Sequence, residues 1–334
     1  MKDKLVEIYR CPNTKQKLSL ENAVIKNDDV ISGELRSSSG AVYPIVDGLP
    51  DFTYPKRLLP SDSMMREYYE NVADVYDDLL PLTFSTFGVN EWEERGKLIN
   101  ASNIKEDSIV LDMGCGSGRD SKLIAEKLGK NGQLFSQDLS VSFLKKAIEP
   151  LSEQNCDINL AVSNGSYLPF SDNFFDCAFH FGGLNTFDDI GRALSEMVRV
   201  TKVGGKVVVG DENMPIWLRD TEFGKVLMNS NPHYEYDLPL KHMPVEARDV
   251  NLSWIMGGVF YYIDFVVGAG EPYADIDFEI PGARGGTHRT RYYGHLEGIS
   301  PEAKESALKA AASSGKSMYE WLNDAVLAAC RADE

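Results

Sequence analysis

The chain has 334 residues, a hydrophobic fraction of 43% and a formal net charge of −17. That is enough sequence for one large domain with one or two small ones, and enough apolar side chain for a sizeable core. Such acidity argues against broad contact with nucleic acid or an anionic membrane, because neutralising phosphates takes clustered lysine and arginine. No N-terminal signal pattern and no apolar run of bilayer length is present, and the five cysteines form no Cys-x-x-Cys pair. The chain therefore reads as a soluble protein of a reducing, cytoplasmic compartment.

Residues 1–55 read as short strands and turns. A turn opens at Tyr9-Arg10-Cys11-Pro12, a short alternating strand covers Lys17 to Leu20, and turn, strand and turn follow from Ser39 to Pro50. The stretches Cys-Pro-x-x-Lys-x-x-Leu and Ala-Val-Tyr-Pro-Ile-Val-Asp-Gly-Leu-Pro resemble the small zinc-ribbon-like domain of a tRNA-methyltransferase activator, also found fused to an rRNA guanine methyltransferase family. Metal-binding members of that family carry a second cysteine in the first turn and a later cysteine pair. Here Thr14 and Ser37 to Ser39 stand at those places. A structural zinc site needs four nitrogen or sulfur ligands. This copy is therefore expected to be degenerate, to hold no metal, and to act by packing.

The segment 56–62 reads as a linker, and 56–270 as the main domain. Met64 to Leu80 has helical spacing of Tyr68, Tyr69, Val72, Val75, Tyr76, Leu79 and Leu80, so 63–80 is expected to be a lid helix. Phe84 to Asn90 is expected to be a mobile loop over the site, and Trp92 to Ile99 a helix. Ile109-Val110-Leu111 then reads as a buried parallel strand closed by Asp112. Gly114, Gly116 and Gly118 alternate with small residues, and a helix runs from about Asp120 to Gly129. Such a glycine turn between strand and helix lets a ligand approach the backbone closely. Its spacing is Gly-x-Gly-x-Gly with no Gly-Lys-Ser/Thr, which disfavours a phosphate-cradling loop.

The next strand, Gly132 to Gln137, ends in Asp138, about twenty residues beyond the glycines. An acid there can accept hydrogen bonds from both hydroxyls of a ribose. A helix follows from Val141 to Leu151. The stretches Val-Leu-Asp-Met-Gly-Cys-Gly-Ser-Gly (110–118) and Asp-Leu-Ser (138–140) resemble the class I S-adenosylmethionine-dependent methyltransferases. The likeness runs from about Ser63 to Gly268 and is nearest to the branch of ubiquinone and menaquinone C-methyltransferases and other small-molecule enzymes. It implies an α/β, Rossmann-like seven-stranded sheet and S-adenosyl-L-methionine as cofactor. It marks Asp112, Gly114, Cys115, Gly116, Gly118, Asp138 and Leu139 as cofactor-binding residues, and Tyr69 and Tyr76 as aromatic covers of its methionine end.

Ile158 to Val162 is the expected third strand. The family usually has an aspartate at position 164 that accepts from the adenine amino group; Asn164 can still accept through its oxygen, with the backbone of Gly165 and Ser166 near the ring. The fourth strand, Asp176 to Phe181, ends in Gly182-Gly183, which belongs near the transferable methyl at the carboxyl edge of the sheet. A helix over Ile190 to Val200 leads to the fifth strand, Lys206 to Gly210, and then to Asp211-Glu212-Asn213. An insertion, 214–248, carries His233, Tyr234, Tyr236 and His242 and is expected to shape the acceptor pocket. Asp249 to Trp254 and Phe260 to Val267 read as the closing antiparallel pair.

Residues 271–334 form the third region. A locally basic stretch, Arg284 to Gly294, precedes a helix capped by Ser300-Pro301 and a second helix, Met318 to Ala329, opened by a Ser317/Glu320 capping box. Strand, helix, helix at this spacing resembles a ribbon-helix-helix unit, a family that dimerises and reads DNA through paired strands.

Methyl transfer from a sulfonium is a direct displacement, so alignment supplies much of the acceleration, roughly 7–11 kcal/mol in well-oriented sites. A base is needed only where the acceptor must lose a proton. The candidates are His180, Asp211, Glu212, His233 and His242. The leading reading is a methyltransferase of a small molecule. The alternatives are an RNA or protein methyltransferase, and a non-catalytic cofactor-binding regulator whose tail dimerises or binds DNA.

Overall fold

The computed structural model describes residues 1–281, 283, 285–293 and 299–332. The chain divides into two compact units, Met1–Glu271 and Pro272–Glu334.

The first unit opens with a four-stranded antiparallel sheet in the order β1-β2-β3-β4: β1 Leu18–Lys26, β2 Asp29–Ser37, β3 Val42–Val46 and β4 Leu49–Pro50. Its inward residues Val30, Leu35, Tyr43 and Ile45 join Leu5, Tyr9 and Phe52 in a core that continues into Phe135, Phe170 and Phe175 of the larger domain. Backbone bonds cross the same seam, Arg10 N–H to Pro169 O at 2.9 Å and Phe52 N–H to Val162 O at 2.8 Å. Cys11 is fully buried, with its Sγ 3.2 Å from the Tyr43 hydroxyl. The long β1–β2 hairpin was not legible beyond Lys17 to Leu20. Its far end exposes Val24 and Ile25 on successive positions, and register shifts between Glu21 and Ile25 break the alternation that marks a strand.

A 27-residue helix, α1 (Pro60–Thr86), follows, then α2 (Glu91–Ala101), whose start Asn90 caps through its side chain. The loop expected over Phe84 to Asn90 is shorter than the sequence suggests. The helix continues to Thr86, and Phe84 in its last turn faces inward, 4% exposed, into the apolar cluster that holds Leu98 and Met214.

The main sheet contains β5 (Ile109–Met113), β6 (Gln133–Asp138), β7 (Asp157–Val162), β8 (Phe175–Phe181), β9 (Thr201–Glu212), β10 (Ala247–Ile255) and β11 (Phe260–Val267), in the order β10-β11-β9-β8-β5-β6-β7. β5 to β9 are parallel, β11 runs antiparallel to β9, and β10 antiparallel to β11. Helices α3 (Arg119–Lys127), α4 (Val141–Leu151) and α5 (Ile190–Val200) connect the parallel strands, and short helices α6 (Ile216–Arg219) and α7 (Glu222–Ser230) occupy the insertion. Val110 and Leu111 are fully buried, as a central parallel strand requires. This is a Rossmann-like seven-stranded α/β sheet, parallel at its centre and closed by an antiparallel pair at one edge. The chain leaves β5 toward β6 and β7 and later returns to β8 on the other side of β5. The crevice beyond the carboxyl ends of β5 and β8 is thus the switch point of the sheet, where ligands bind in such folds.

The second unit holds α8 (His288–Tyr293), α9 (Pro301–Ser314) and α10 (Met318–Ala332). Ser300 caps α9, Gly315 ends it in the left-handed conformation, and Ser317 and Glu320 cap α10 reciprocally. The basic stretch is not the expected strand. Thr287 and Thr290 bond each other's backbone N–H groups, and Arg289 pairs with Asp277, so the local structure is a helical turn. With a helix in place of the strand, the ribbon-helix-helix likeness lapses for the described residues; Arg284 and Gly294 lie outside them. No described helix is long and apolar enough to cross a membrane.

Candidate active site

A cavity of about 270 Å³ opens at the switch point, floored by the loops after β5 to β8 and roofed by α1. It gathers most of the residues singled out in the sequence: Tyr69, Tyr76, Gly114, Cys115, Gly116, Asp138, Leu139, Asn164, Gly165, Gly182, His180, Glu212 and His233.

The glycine loop is shaped by its neighbours. Gly114 has φ +67°, and a Cβ there would stand 3.2 Å from the His180 ring. Asp138 closes the loop from the next strand. One carboxylate oxygen accepts from the Gly116 N–H at 2.9 Å and the other from the Ser140 N–H at 2.8 Å. Each oxygen keeps a free lone pair. Burial pushes this carboxyl up in pKa, opposed by the same backbone donors.

Asp112, Gly118, Ser166 and Asp211 do not line the cavity. Asp112 is 1% exposed and accepts from the Ser121 hydroxyl at 2.5 Å beneath the loop. Burial, with Asp120 beside it, holds its carboxyl well above the usual range. Gly118 starts α3 against Ala147, where a Cβ would meet carbon at 3.0 Å. Ser166 is buried, its N–H on Asn164 Oδ1 and its hydroxyl on Asp189 O. These three support the loops from behind, a role that motif position alone does not separate from ligand contact.

Tyr69 and Tyr76 pack on Phe143 with ring centroids 5.4 and 5.1 Å away. Three carboxylates of α1 tie it to the loops below. Asp62 accepts from the Asn164 amide at 2.7 Å; Glu70 accepts from the hydroxyls of Ser140 and Ser142; Asp77 accepts from the Ser117 hydroxyl at 2.7 Å and Arg119 Nε at 3.0 Å. At the cavity wall a buried ionic cluster, with Arg95, Arg119 and Asp120 among the lining residues, holds α2 to α3. Arg95 pairs with Glu91 at 2.8 Å and with Asp120, and Arg119 reaches Glu91 at 2.9 Å. The Arg95 guanidinium also lies 5.5 Å from the Phe181 ring centroid. The spacing Glu91/Arg95 was the one local signal for this cluster.

The strand ends carry the titratable groups. His180 is buried with Nδ1 2.6 Å from Met113 O, so Nδ1 carries the proton and Nε2 presents a lone pair with no partner among the described residues. Burial lowers its pKa and keeps the ring neutral. Asp211 spends its carboxylate on the N–H groups of Gly183, Asn185 and Glu212, at 3.1, 2.6 and 2.9 Å. It therefore shapes the glycine turn after β8 and is not placed as a base. Glu212 faces the cavity, and burial and the Asp211 charge raise its carboxyl well above the usual range. His233 lines the cavity, 5.5 Å between ring centroids from Tyr236. His242 lies away from the cavity, against Gly191.

Comparison with known proteins bears on this same region. The chain is 32% identical over 155 residues to the ubiquinone/menaquinone biosynthesis C-methyltransferase UbiE of Pectobacterium atrosepticum, covering 46% of this chain and 61% of that one. It is 28% identical over 189 residues to UbiE of Legionella pneumophila, covering 52% and 74%. The chain thus spans about three fifths of the length of the first of these relatives. Among solved structures, the phosphoethanolamine N-methyltransferase 2 of Haemonchus contortus, in complex with S-adenosyl-L-methionine, superposes with a TM-score of 0.48 at 15% identity, over 68% of this chain and 63% of that one. Residues 59–219, just under half of the chain and the source of most of the cavity lining, match the model of the ubiE/COQ5 methyltransferase family.

Proposed function

We propose that the first unit is an S-adenosylmethionine-dependent methyltransferase of a small-molecule acceptor. The observation that carries this reading is the Asp138 carboxylate, aimed by the Gly116 and Ser140 amides at the mouth of the glycine loop, at the switch point of the sheet. The match of residues 59–219 to the ubiE/COQ5 family supports it. Asp138 would take the two ribose hydroxyls, the loop 114–116 would hold the methionine portion, and Tyr69 and Tyr76 would cover it from α1. S-adenosylmethionine supplies a methyl group on a positively charged sulfur. The acceptor's electron pair forms the new bond as the carbon–sulfur bond breaks, leaving a neutral thioether.

The acceptor side is the wall where Met256, Phe260 and the Tyr234 ring stand beside the polar groups of Glu212 and His233. The relatives are C-methyltransferases by name, and a carbon acceptor made nucleophilic by loss of a proton suits Glu212 as the group that takes it. Its raised pKa places it closer to a working base than an ordinary carboxylate. Glu212 must be ionised to act, so turnover is expected to rise with pH through that elevated pKa. Glu212→Gln is expected to lower kcat by about 10²–10⁴-fold and to abolish this limb, with cofactor affinity nearly unchanged. A pH–rate profile of the variant that keeps the limb would remove Glu212 from the role.

The reading is tested with methyl-labelled cofactor and three acceptor pools, small metabolites, RNA and proteins. Label entering the metabolite pool supports it. Label entering only RNA or protein overturns the small-molecule assignment.

A further inference from the structure

Asn164 follows the end of β7, next to the strand that carries Asp138. Both functions of its side chain are already in use. Oδ1 accepts from the Ser166 N–H at 2.9 Å, and Nδ2 donates to Asp62 Oδ2 at 2.7 Å. The group that Asn164 holds is the more informative one. Asp62 lies in the first turn of α1, is 7% exposed, and lines the cavity beside Ser163, Gly165, Thr186 and Phe187.

Among the described residues its carboxylate accepts from two neutral donors, the Asn164 amide and, at 3.3 Å, the Asp188 N–H. Each oxygen has room for a further hydrogen bond. Burial pushes its pKa up, the Asn164 and Asp188 donors oppose this, and the like charges of Asp188 and Asp189 add to the rise. Arg66, one turn further along α1, lines the same cavity. A buried anion with spare lone pairs and like charges around it is unfavourable until a ligand donates to it.

The strand order says which part of a ligand arrives there. With the sulfonium over the loop after β5 and the ribose on Asp138 after β6, the base extends to the loop after β7, which is where Asp62 points. We propose that Asp62 accepts a hydrogen bond from the exocyclic amino group of the cofactor's adenine. This rests on the cofactor reading above and deepens it. The acceptor for the base is then carried by the roof helix rather than the floor, so reading the base and seating α1 are one event. Ser61 on the same turn donates to Thr186 O at 2.6 Å, and the Asp62 N–H donates to Asp188 at 2.7 Å, which fixes the turn in that position.

The test compares S-adenosylhomocysteine with S-inosylhomocysteine, its counterpart with a 6-oxo group in place of the 6-amino group. Calorimetry on the full chain is run for the wild type, Asp62→Ala and Asp62→Asn, with melting curves as a check on folding. The wild type is expected to favour the amino form about tenfold or more. Asp62→Ala should bring the two ligands within about threefold of each other. If the alanine chain does not fold, the isosteric Asp62→Asn chain carries the comparison, since its amide can turn its N–H toward the 6-oxo group and its preference should fall at least severalfold. A wild type that binds neither ligand removes the cofactor reading and this inference with it. A wild type that binds S-adenosylhomocysteine, with its preference undiminished in both variants, overturns the assignment of Asp62 alone.

Discussion

Asp138→Ala is expected to weaken S-adenosylhomocysteine binding about a hundredfold or more while the chain remains folded. Two hydroxyl donors to an ionised acceptor contribute roughly 1.5–3 kcal/mol each, and every 1.4 kcal/mol is about tenfold in affinity. A second effect acts in the same direction. The carboxylate also receives the Gly116 and Ser140 N–H groups, so its loss frees the glycine loop that it holds in place. The side chain is half-buried at a strand end, outside the main apolar clusters, so the melting temperature should change by only a few degrees. Equilibrium binding and thermal melting of the same preparation separate the two effects. Undiminished affinity would show that the ribose is not at Asp138.

The largest loss of stability is expected from Arg95→Ala. Arg95 is 6% exposed and is shared by Glu91 and Asp120, and Asp120 Oδ1 already lacks a partner among the described residues. Removing one partner from a buried ion pair costs about 3–5 kcal/mol, because the remaining charges stay buried and uncompensated. Arg119 still reaches Glu91, which leaves Asp120 as the more exposed loss. The pH dependence gives a distinctive signature. Burial already raises the Asp120 pKa in the folded chain, and removal of the guanidinium raises it further. A carboxylate with a raised folded pKa destabilises when ionised and ceases to as it protonates. The deficit of Arg95→Ala against the wild type should therefore shrink as pH falls from neutral toward 5. Urea unfolding at several pH values measures it. A deficit below about 1 kcal/mol at neutral pH would show that the cluster relaxes or takes up water.

What the sequence made legible was local. The strand, glycine loop and helix from Ile109 to Lys127 can be read from an apolar run, three glycines and a helical period, and α4 and α5 begin and end where their caps and apolar faces place them. What it hid was produced by pairing at long range. The roof contacts join residues 40 to 126 positions apart, such as Asp77 with Ser117 and Asp62 with Asp188, and nothing in the helical spacing of α1 says which acid meets which loop. Asp112 and Gly116 sit in one motif, yet only Gly116 reaches the cavity, because the strand buries its last residues before the loop turns outward. The basic stretch near Arg289 matched a strand by position, but Asp277 and the paired threonines, which decide its conformation, lay outside the pattern. The Ser166 side chain turns away from the cavity for a similar reason, since its hydroxyl meets Asp189 O at the start of α5.

The central claim is that the cavity under α1 binds S-adenosylmethionine. Calorimetric titration of the wild-type chain with S-adenosylhomocysteine tests it most directly. One site per chain with micromolar affinity, lost in Asp138→Ala, is the expected result. No heat of binding from a chain shown by its melting curve to be folded would contradict it.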